Sequence, residues 1–413
     1  MSREHSAPYA PGDRLYLWIL TTPENPRWVG EIDLLRRPRG VSFRYAPEWL
    51  SHGFPLSEDL PLIDTVFVPS DQDAAPGAID DARPNRWGER LIRFVDKPPR
   101  LSLLEYLYFA GDDRFGALGI SMSSTEYRPR RTGPLPRLDD VDEVSRLVQR
   151  VLANEPIPPE KRRLISPGVT MGGAHPKALI DIDGAQWIVK FSAGEHIDLP
   201  LVEHATMTLA TKANIVCAKT HPIRLIDGHA LAVRRFDREG SKRVHSLSAR
   251  VALAAAGEPY GYPELAQLLR RRGRAAAGFF DRQMQELFRR MVFNILIDNT
   301  DDHEKNHVLL LLDSQEYELS PAFDVLPSGQ ALGYQQMRVG HDESDSTIDN
   351  ALSMCEYFGL SRDEAVNQVR EVVTVISDWK KHFAAEGVLP PDIASLEAQI
   401  DRAFLRSQRD EFC

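Results

Sequence analysis

The sequence predicts an α+β chain of two lobes with a small β-rich subdomain at its start. Three observations predict it. Short strand-like runs crowd the first part, paired strand patterns occupy the middle, and helical spacing dominates from about Ser246, broken by one hairpin. With 413 residues there is room for two or three domains and a large core. The expected division is residues 1–127, 128–240 and 241–413.

In the first segment, Leu15–Leu20, Trp28–Ile32 and Val41–Tyr45 have strand character, with Gly30 and Gly40 as punctuation. Arg86–Phe94 and Leu103–Ala110 are expected helices. The stretch Arg128–Pro136, rich in Pro and Arg, is expected to be a linker. Asp139-Asp-Val-Asp-Glu143 then opens a helix, where acidic residues suit the positive end of the dipole. Ala178–Asp183 and Gln186–Phe191 flank a Gly184 turn and predict a hairpin. Pro200–Ala213 has helical spacing, and Leu231–Phe236 is a further strand. Met284–Asp298 is an apolar helix, followed by a second hairpin from His307–Leu312 and Tyr317–Ser320. The C-terminal third, from about Thr347, is helical.

Net charge is −10, which disfavours a free-standing DNA-binding protein, because phosphate contact depends on Lys and Arg. The three cysteines lie far apart with no CxxC pair, so neither a disulfide framework nor a structural zinc site is expected. The N-terminus carries no apolar segment of the kind that heads a secretory signal, and no apolar run approaches a membrane span. A cytoplasmic protein without a membrane partner is expected. The aromatic residues Tyr9, Tyr16, Trp18, Trp28 and Tyr45 are read as core of the small domain rather than as a stacking platform for bases.

The densest chemistry lies in Asn294-Ile-Leu-Ile-Asp-Asn-Thr-Asp-Asp-His-Glu-Lys-Asn-His307, where an apolar helix gives way to a polar turn. Asp301 and Asn306 have the Asp-x4-Asn spacing of a kinase catalytic loop, in which the Asp takes the substrate hydroxyl proton and the Asn binds Mg²⁺. Lys305 is placed to neutralise the transferring phosphate. Asp324, beyond the hairpin, stands like a second metal-binding Asp; oxygen ligands of this kind suit Mg²⁺ rather than zinc. Taken alone, such a turn is ordinarily just a solvated turn. A metal-hydrolase reading with Asp302, His303 and His307 as ligands ranks lower, because no HExxH-type helix accompanies them.

Chain order separates the kinase reading from coincidence. Upstream lies a Gly-rich stretch, Ser166–Lys177, whose Gly172 and Gly173 would let backbone N–H groups approach phosphate oxygens with Lys177 as a charge. Lys190 then ends an apolar strand, and Glu203 in the next helix is its candidate partner for holding ATP phosphates. A lone strand Lys is usually a solvated one. The order Gly-rich loop, strand Lys, helix Glu, linking strand, Asp-x4-Asn loop, hairpin and second Asp is the order a kinase needs. The Arg-rich run Leu268–Ala275 has a solvated face as its ordinary reading.

With these parts in place, the sequence resembles the HipA family of protein kinases over nearly its whole length. Asn299-Thr-Asp-Asp-His-Glu-Lys-Asn306, Ser320-Pro-Ala-Phe-Asp-Val-Leu326, Thr170-Met-Gly-Gly-Ala-His-Pro-Lys177 and Val233-Arg-Arg-Phe-Asp-Arg238 are similar to its catalytic loop, metal segment, Gly-rich loop and linking strand. Phe43-Arg-Tyr45, Trp49, Phe54–Ser57, Leu60-Pro-Leu62, Asn85–Arg90 and Asp112–Leu118 resemble its small domain.

The resemblance implies a protein-kinase-like, ATP- and Mg²⁺-dependent Ser/Thr kinase, the toxin of a toxin–antitoxin pair. It implies Asp301 as base, His303 as support of the loop, Asn306 and Asp324 as metal ligands, Lys190 and Lys177 on ATP phosphates, and Arg235 and Phe236 lining the nucleotide site. Thr170 takes the place of the family's autophosphorylated Ser, and the added charge would expel the loop by repulsion. The implied partners are a protein substrate such as an aminoacyl-tRNA synthetase and a helix-turn-helix antitoxin, with operator DNA reached through the antitoxin. Two other readings use the same fold: a small-molecule phosphotransferase and a non-catalytic co-repressor subunit. Three positions depart from the family pattern: Asp302 replaces Gly, Arg234 replaces Glu and His175 replaces Gln. The first puts an extra carboxylate beside the base and raises the question of metal number.

Overall fold

Alternation in the first sixty residues builds a sheet with one buried face. The computed structural model describes residues 9–130, 133–165 and 175–413, so Thr170, Gly172 and Gly173 lie outside the described residues. Strands β1 (Arg14–Ile19), β2 (Arg27–Arg36), β3 (Arg39–Tyr45) and β4 (Leu118–Ser121) form an antiparallel sheet in the order β3-β2-β1-β4. Leu15, Leu17, Ile32 and Phe43 are buried, as period-two patterning requires. The strand β4 closing this sheet had no distinct sequence signal. Gly30 pairs with Tyr45, and a Cβ built on it would meet the Arg44 carbonyl oxygen at 2.2 Å, so the close approach of β2 and β3 depends on glycine there.

The chain divides into two compact units, one of residues 1–186 with 237–246, the other of residues 187–236 with 247–413. The three sequence segments describe pattern; these units cut the chain at other points. Unit 1 adds the helices α1 (Pro47–His52), α2 (Ala78–Asp81), α3 (Arg86–Leu91), α4 (Leu103–Phe109) and α5 (Val141–Leu152), and strand β5 (Lys177–Ile182). The helix expected over Arg86–Phe94 stops at Leu91 and continues as a π-helical turn, Ile92–Asp96. Acidic Asp142 and Glu143 lie in the first turn of α5, whose Val144, Leu147, Val148 and Val151 are buried at helical spacing.

Several family-like motifs are internal fastenings of this unit. Arg90 donates to the Val151 and Leu152 carbonyls (both 2.9 Å), satisfying the open end of α5. The Trp87 indole donates to the Lys177 carbonyl (2.9 Å). Arg114, fully buried, donates to the carbonyls of Gly111, Ala82 and Leu107. The returning segment carries β9 (Arg238–Glu239) and β10 (Lys242–Arg243). Within it, the Asp237 carboxylate accepts from the Gly116 N–H (2.8 Å), and Arg238 donates to the carbonyls of Gly116 and Arg114 (both 2.9 Å).

The chain enters unit 2 along β6 (Ala185–Lys190). Its sheet pairs β6 with β8 (His229–Arg234), and β8 with β7 (Thr220–Arg224), all antiparallel. Helix α6 (Leu199–Lys212) packs against β7 and β8. After β11 (Ser246–Ser248), helices α7 (Ala249–Ala256), α8 (Tyr262–Arg272) and α9 (Phe279–Leu296) lead to the hairpin β12 (Val308–Leu311) and β13 (Tyr317–Leu319). Met284, Leu287, Phe288, Met291, Phe293 and Ile295 bury α9, each large side chain contributing about 1.5–3 kcal/mol relative to exposure. Helices α10 (Ile348–Ser353), α11 (Arg362–Ser377), α12 (Trp379–Ala385), α13 (Pro390–Ile400) and α14 (Ala403–Asp410) complete the unit. Among the described residues no helix is long and apolar enough to cross a membrane.

Gly30→Ala is expected to lower unfolding free energy by about 2 kcal/mol through overpacking against β3. Urea denaturation of the chain, followed by tryptophan fluorescence, measures this; an unchanged midpoint would show that β2 can shift at no cost.

Candidate active site

The hairpin β12–β13 and helix α9 are both buried, so the turn between them is held at both ends. Antiparallel pairing sets Leu309 opposite Leu319 and Leu311 opposite Tyr317, and Ser320 N–H donates back to the Val308 carbonyl (2.8 Å). On the far side, Ala218 N–H donates to the Ala322 carbonyl and Ala322 N–H to the Val216 carbonyl, both at 2.8 Å. The segment carrying Asp324 is thereby stitched to the chain that leaves α6. Asp324 itself has φ +61°, in the left-handed region that non-glycine residues seldom adopt, and such strain gathers at functional positions.

Lys190 is the centre of the site. Its ammonium donates to Glu203 Oε1 (2.6 Å) and to Asp324 Oδ1 (2.5 Å). The three side chains are 8, 5 and 14 % exposed, so the ion triad lies almost out of water. Burial alone pushes Lys190 toward neutrality; the charges of Asp324 and Glu203 outweigh it and hold its pKa above the ordinary lysine value. Strand β6 delivers the lysine opposite Leu231, and Glu203 comes from the second turn of α6. The Lys–Glu partnership read from chain order is thus present in the geometry, with Asp324 as a second acceptor.

The turn 299–307 places its residues in two directions. Asp301 and Lys305 are exposed, while Asp302, Asn306 and His307 are buried. Asn306 N–H closes the turn on the His303 carbonyl (2.8 Å). Asn306 Oδ1 and His303 Nδ1 are buried atoms without a hydrogen-bond partner among the described residues. A small cavity is lined by Asp302, Asn306, Phe323 and Val325 among others, so the turn and the segment flanking Asp324 border one space. An unpartnered amide oxygen and a carboxylate are hard oxygen donors that fit Mg²⁺. Phe236 packs on Phe323 with ring centroids 5.5 Å apart, and Arg235 is buried. Lys177 is fully buried and belongs to unit 1.

Where Asp301 is exposed, Asp302 is buried. It is 2 % exposed, and its Oδ2 accepts from His307 Nε2 (2.7 Å) and from the Tyr262 hydroxyl. Burial pushes its pKa up, but the electrostatic attraction of His307, with the His307 and Tyr262 hydrogen bonds, outweighs this and holds it below the ordinary carboxylate value; burial and the Asp302 charge push Tyr262 well above its own. The extra carboxylate is therefore engaged by Tyr262 and His307 on the buried side of the turn. The hydrolase reading also loses two of its ligands, since Asp302 and His307 bind each other. Among the described residues no group of three His, Cys, Asp or Glu is arranged to hold a metal. Sequence reasoning missed Tyr262, which gives no local signal; Asn294, a polar residue closing an apolar helix, was the available clue. The Arg-rich run is locally balanced: Arg271 meets Glu258 (3.2 Å), Arg274 meets Glu318 (3.7 Å) and Arg272 covers the Tyr317 ring.

Two family models match the sequence, one described as the HipA-like C-terminal domain over residues 169–379 and one as the HipA N-terminal domain over residues 25–121. The chain belongs to the HipA family. The first model alone spans more than half of it. A Sinorhizobium fredii protein with the provisional name kinase Y4dM is 30 % identical over 156 residues, covering 35 % of this HipA-family chain and 37 % of the relative. The match thus spans little more than a third of that protein's length. A chain of the solved Shewanella oneidensis MR-1 toxin–antitoxin complex of HipA, HipB and operator DNA matches at TM-score 0.63 and 18 % identity, covering 93 % of this chain and 97 % of that one. At that identity the likeness speaks of fold. The α+β, kinase-like HipA fold expected from sequence is borne out.

Lys190→Met is expected to lower unfolding free energy by about 3 kcal/mol, because two buried carboxylates lose their cation. A raised folded pKa means that this stabilisation is complete below the unfolded lysine value and is lost only as pH climbs through the folded one. The deficit should therefore be as large at about pH 9 as at pH 7, by urea denaturation at both. A deficit that fades by pH 9 would contradict the raised value.

Proposed function

We propose that this HipA-family protein is an ATP- and Mg²⁺-dependent Ser/Thr protein kinase, the toxin half of a toxin–antitoxin pair. The observation that carries the reading is Lys190 ion-paired with both Glu203 and Asp324. This lysine, fixed and charged, is placed to bind nucleotide phosphates, and Glu203 prevents it from swinging away. Asn306 Oδ1 and the Asp324 carboxylate would hold Mg²⁺, which would offset charge on those phosphates.

Asp301, exposed at the head of the turn, accepts the proton of a Ser or Thr hydroxyl. The hydroxyl oxygen then forms a bond to the γ-phosphorus as the bond to the β–γ bridging oxygen breaks, and ADP leaves. Lys305, exposed beside it, offsets charge on the transferring group, and His303 supports the turn. Gly172, Gly173 and Lys177 keep the phosphate-binding role that the family implies, Arg235 and Phe236 line the nucleotide site, and Thr170 is the autophosphorylation candidate. The Shewanella complex supports a helix-turn-helix antitoxin as partner, with operator DNA reached through it. A translation protein such as an aminoacyl-tRNA synthetase is the proposed substrate, and the cytoplasm the proposed location.

Incubation with γ-labelled ATP, Mg²⁺ and cell lysate tests this. Protein bands are expected to be labelled by the native chain and weakened about 100-fold or more in Asp301→Ala and Asp324→Ala. Full labelling in either variant would overturn the roles of Asp301 as base and Asp324 as metal ligand. Label confined to small molecules would replace the protein substrate with a metabolite.

A further inference from the structure

Beneath the exposed turn runs an unbroken series of buried hydrogen bonds that the phosphoryl-transfer reading does not use. Asn299 donates through its amide side chain to Asn294 Oδ1 (3.0 Å) and through its backbone N–H to the Asn294 carbonyl (2.9 Å). Asn294 Nδ2 donates to the Tyr262 hydroxyl (3.4 Å), which donates to Asp302 Oδ2; His307 Nε2 meets the same oxygen at 2.7 Å. All five residues are at most 3 % exposed. The Tyr262 and His307 rings also pack edge to face, 5.4 Å apart.

The series spans the turn from one end to the other. Asn299 precedes Asp301 by two residues and His307 follows Asn306 directly, so both proposed functional side chains lie between the two tied points. Its anchors, Tyr262 at the start of α8 and Asn294 near the end of α9, belong to buried helices. Asp301 and Lys305 are exposed and bring no apolar packing of their own to hold the turn. Arg250 also meets Glu304 at the side of the turn (3.2 Å) and Ala249 N–H donates to the His307 carbonyl (2.7 Å), but in the buried series Asp302 is where the links from Tyr262 and His307 meet. One carboxylate oxygen accepts both, a task suited to its charge.

We infer that Asp302 is a positioning residue: by joining Tyr262 to His307 it fixes the turn on which Asp301 and Asn306 stand. The inference rests on the kinase reading for its consequence in activity, and on geometry alone for its consequence in loop order. It also gives a role to the residue that departs from the family's usual Gly.

The test compares the native chain with Asp302→Asn and Tyr262→Phe. Three quantities are read: deuterium exchange over residues 299–307, the Mg²⁺ concentration giving half-maximal labelling of protein by ATP, and the melting temperature. In Asp302→Asn, exchange is expected to quicken and the half-saturating Mg²⁺ to rise about tenfold, as for loss of a residue that orients a metal ligand. Tyr262→Phe should move both in the same direction by less. A merely structural role would lower the melting temperature and the labelling yield while leaving the Mg²⁺ requirement where it was, and that result overturns the proposal. So does unchanged exchange in the turn. If the native chain labels nothing, the kinase reading falls, and the exchange comparison alone decides whether Asp302 orders the turn.

Discussion

A lysine held in a dry place by two carboxylates is the constraint on which this site depends. Lys190 could not stay charged at that depth without Glu203 and Asp324. Each partner arrives from a different element: a strand, a helix, and the chain beyond a hairpin. The ion triad therefore requires the sheet of unit 2, α6 and the segment after β13 to be in register with one another. Replacing the triad with apolar groups could leave the fold intact, since buried ion pairs contribute little net stability; what the charges provide is a cation fixed at one point.

Rigidity elsewhere in the site has a different origin. The turn bearing Asp301 is held by neutral and singly charged hydrogen bonds running through Asn299, Asn294, Tyr262, Asp302 and His307. Its upper face is wet and its lower face is dry. Such a two-faced turn exposes one carboxylate, Asp301, while its backbone is held from behind. The extra carboxylate of this chain, Asp302, belongs to the lower face.

Most of the fold could be read from the residues. The strands β1, β2 and β3, the hairpin β12–β13, and helices α4, α6 and α9 follow from alternation or helical spacing, because each has one buried face. Strands β4 and β7 were not legible: Leu118–Ser121 is buried on both sides and shows no alternation, and Thr220–Arg224 has no run of apolar residues. In the site, the Lys190–Glu203 pair followed from order along the chain. Contact of Asp324 with that lysine, and the inward turn of Asp302, did not, since both depend on side-chain direction fixed by distant elements such as Tyr262. Backbone twists such as the left-handed Asp324 leave no trace in composition.

The loop of chain from Asp237 to Ser246 that rejoins unit 1 has a bearing on how the protein is made. Asp237 and Arg238 satisfy the Gly116 amide and the carbonyls of Gly116 and Arg114, groups laid down more than a hundred residues earlier. On the ribosome, the first unit must wait with those groups unmet until a stretch of the second has emerged. No single cut frees it whole: a fragment ending at residue 186 lacks the clasp, and one extended to 246 carries β6, α6, β7 and β8 without the helices that follow them in unit 2.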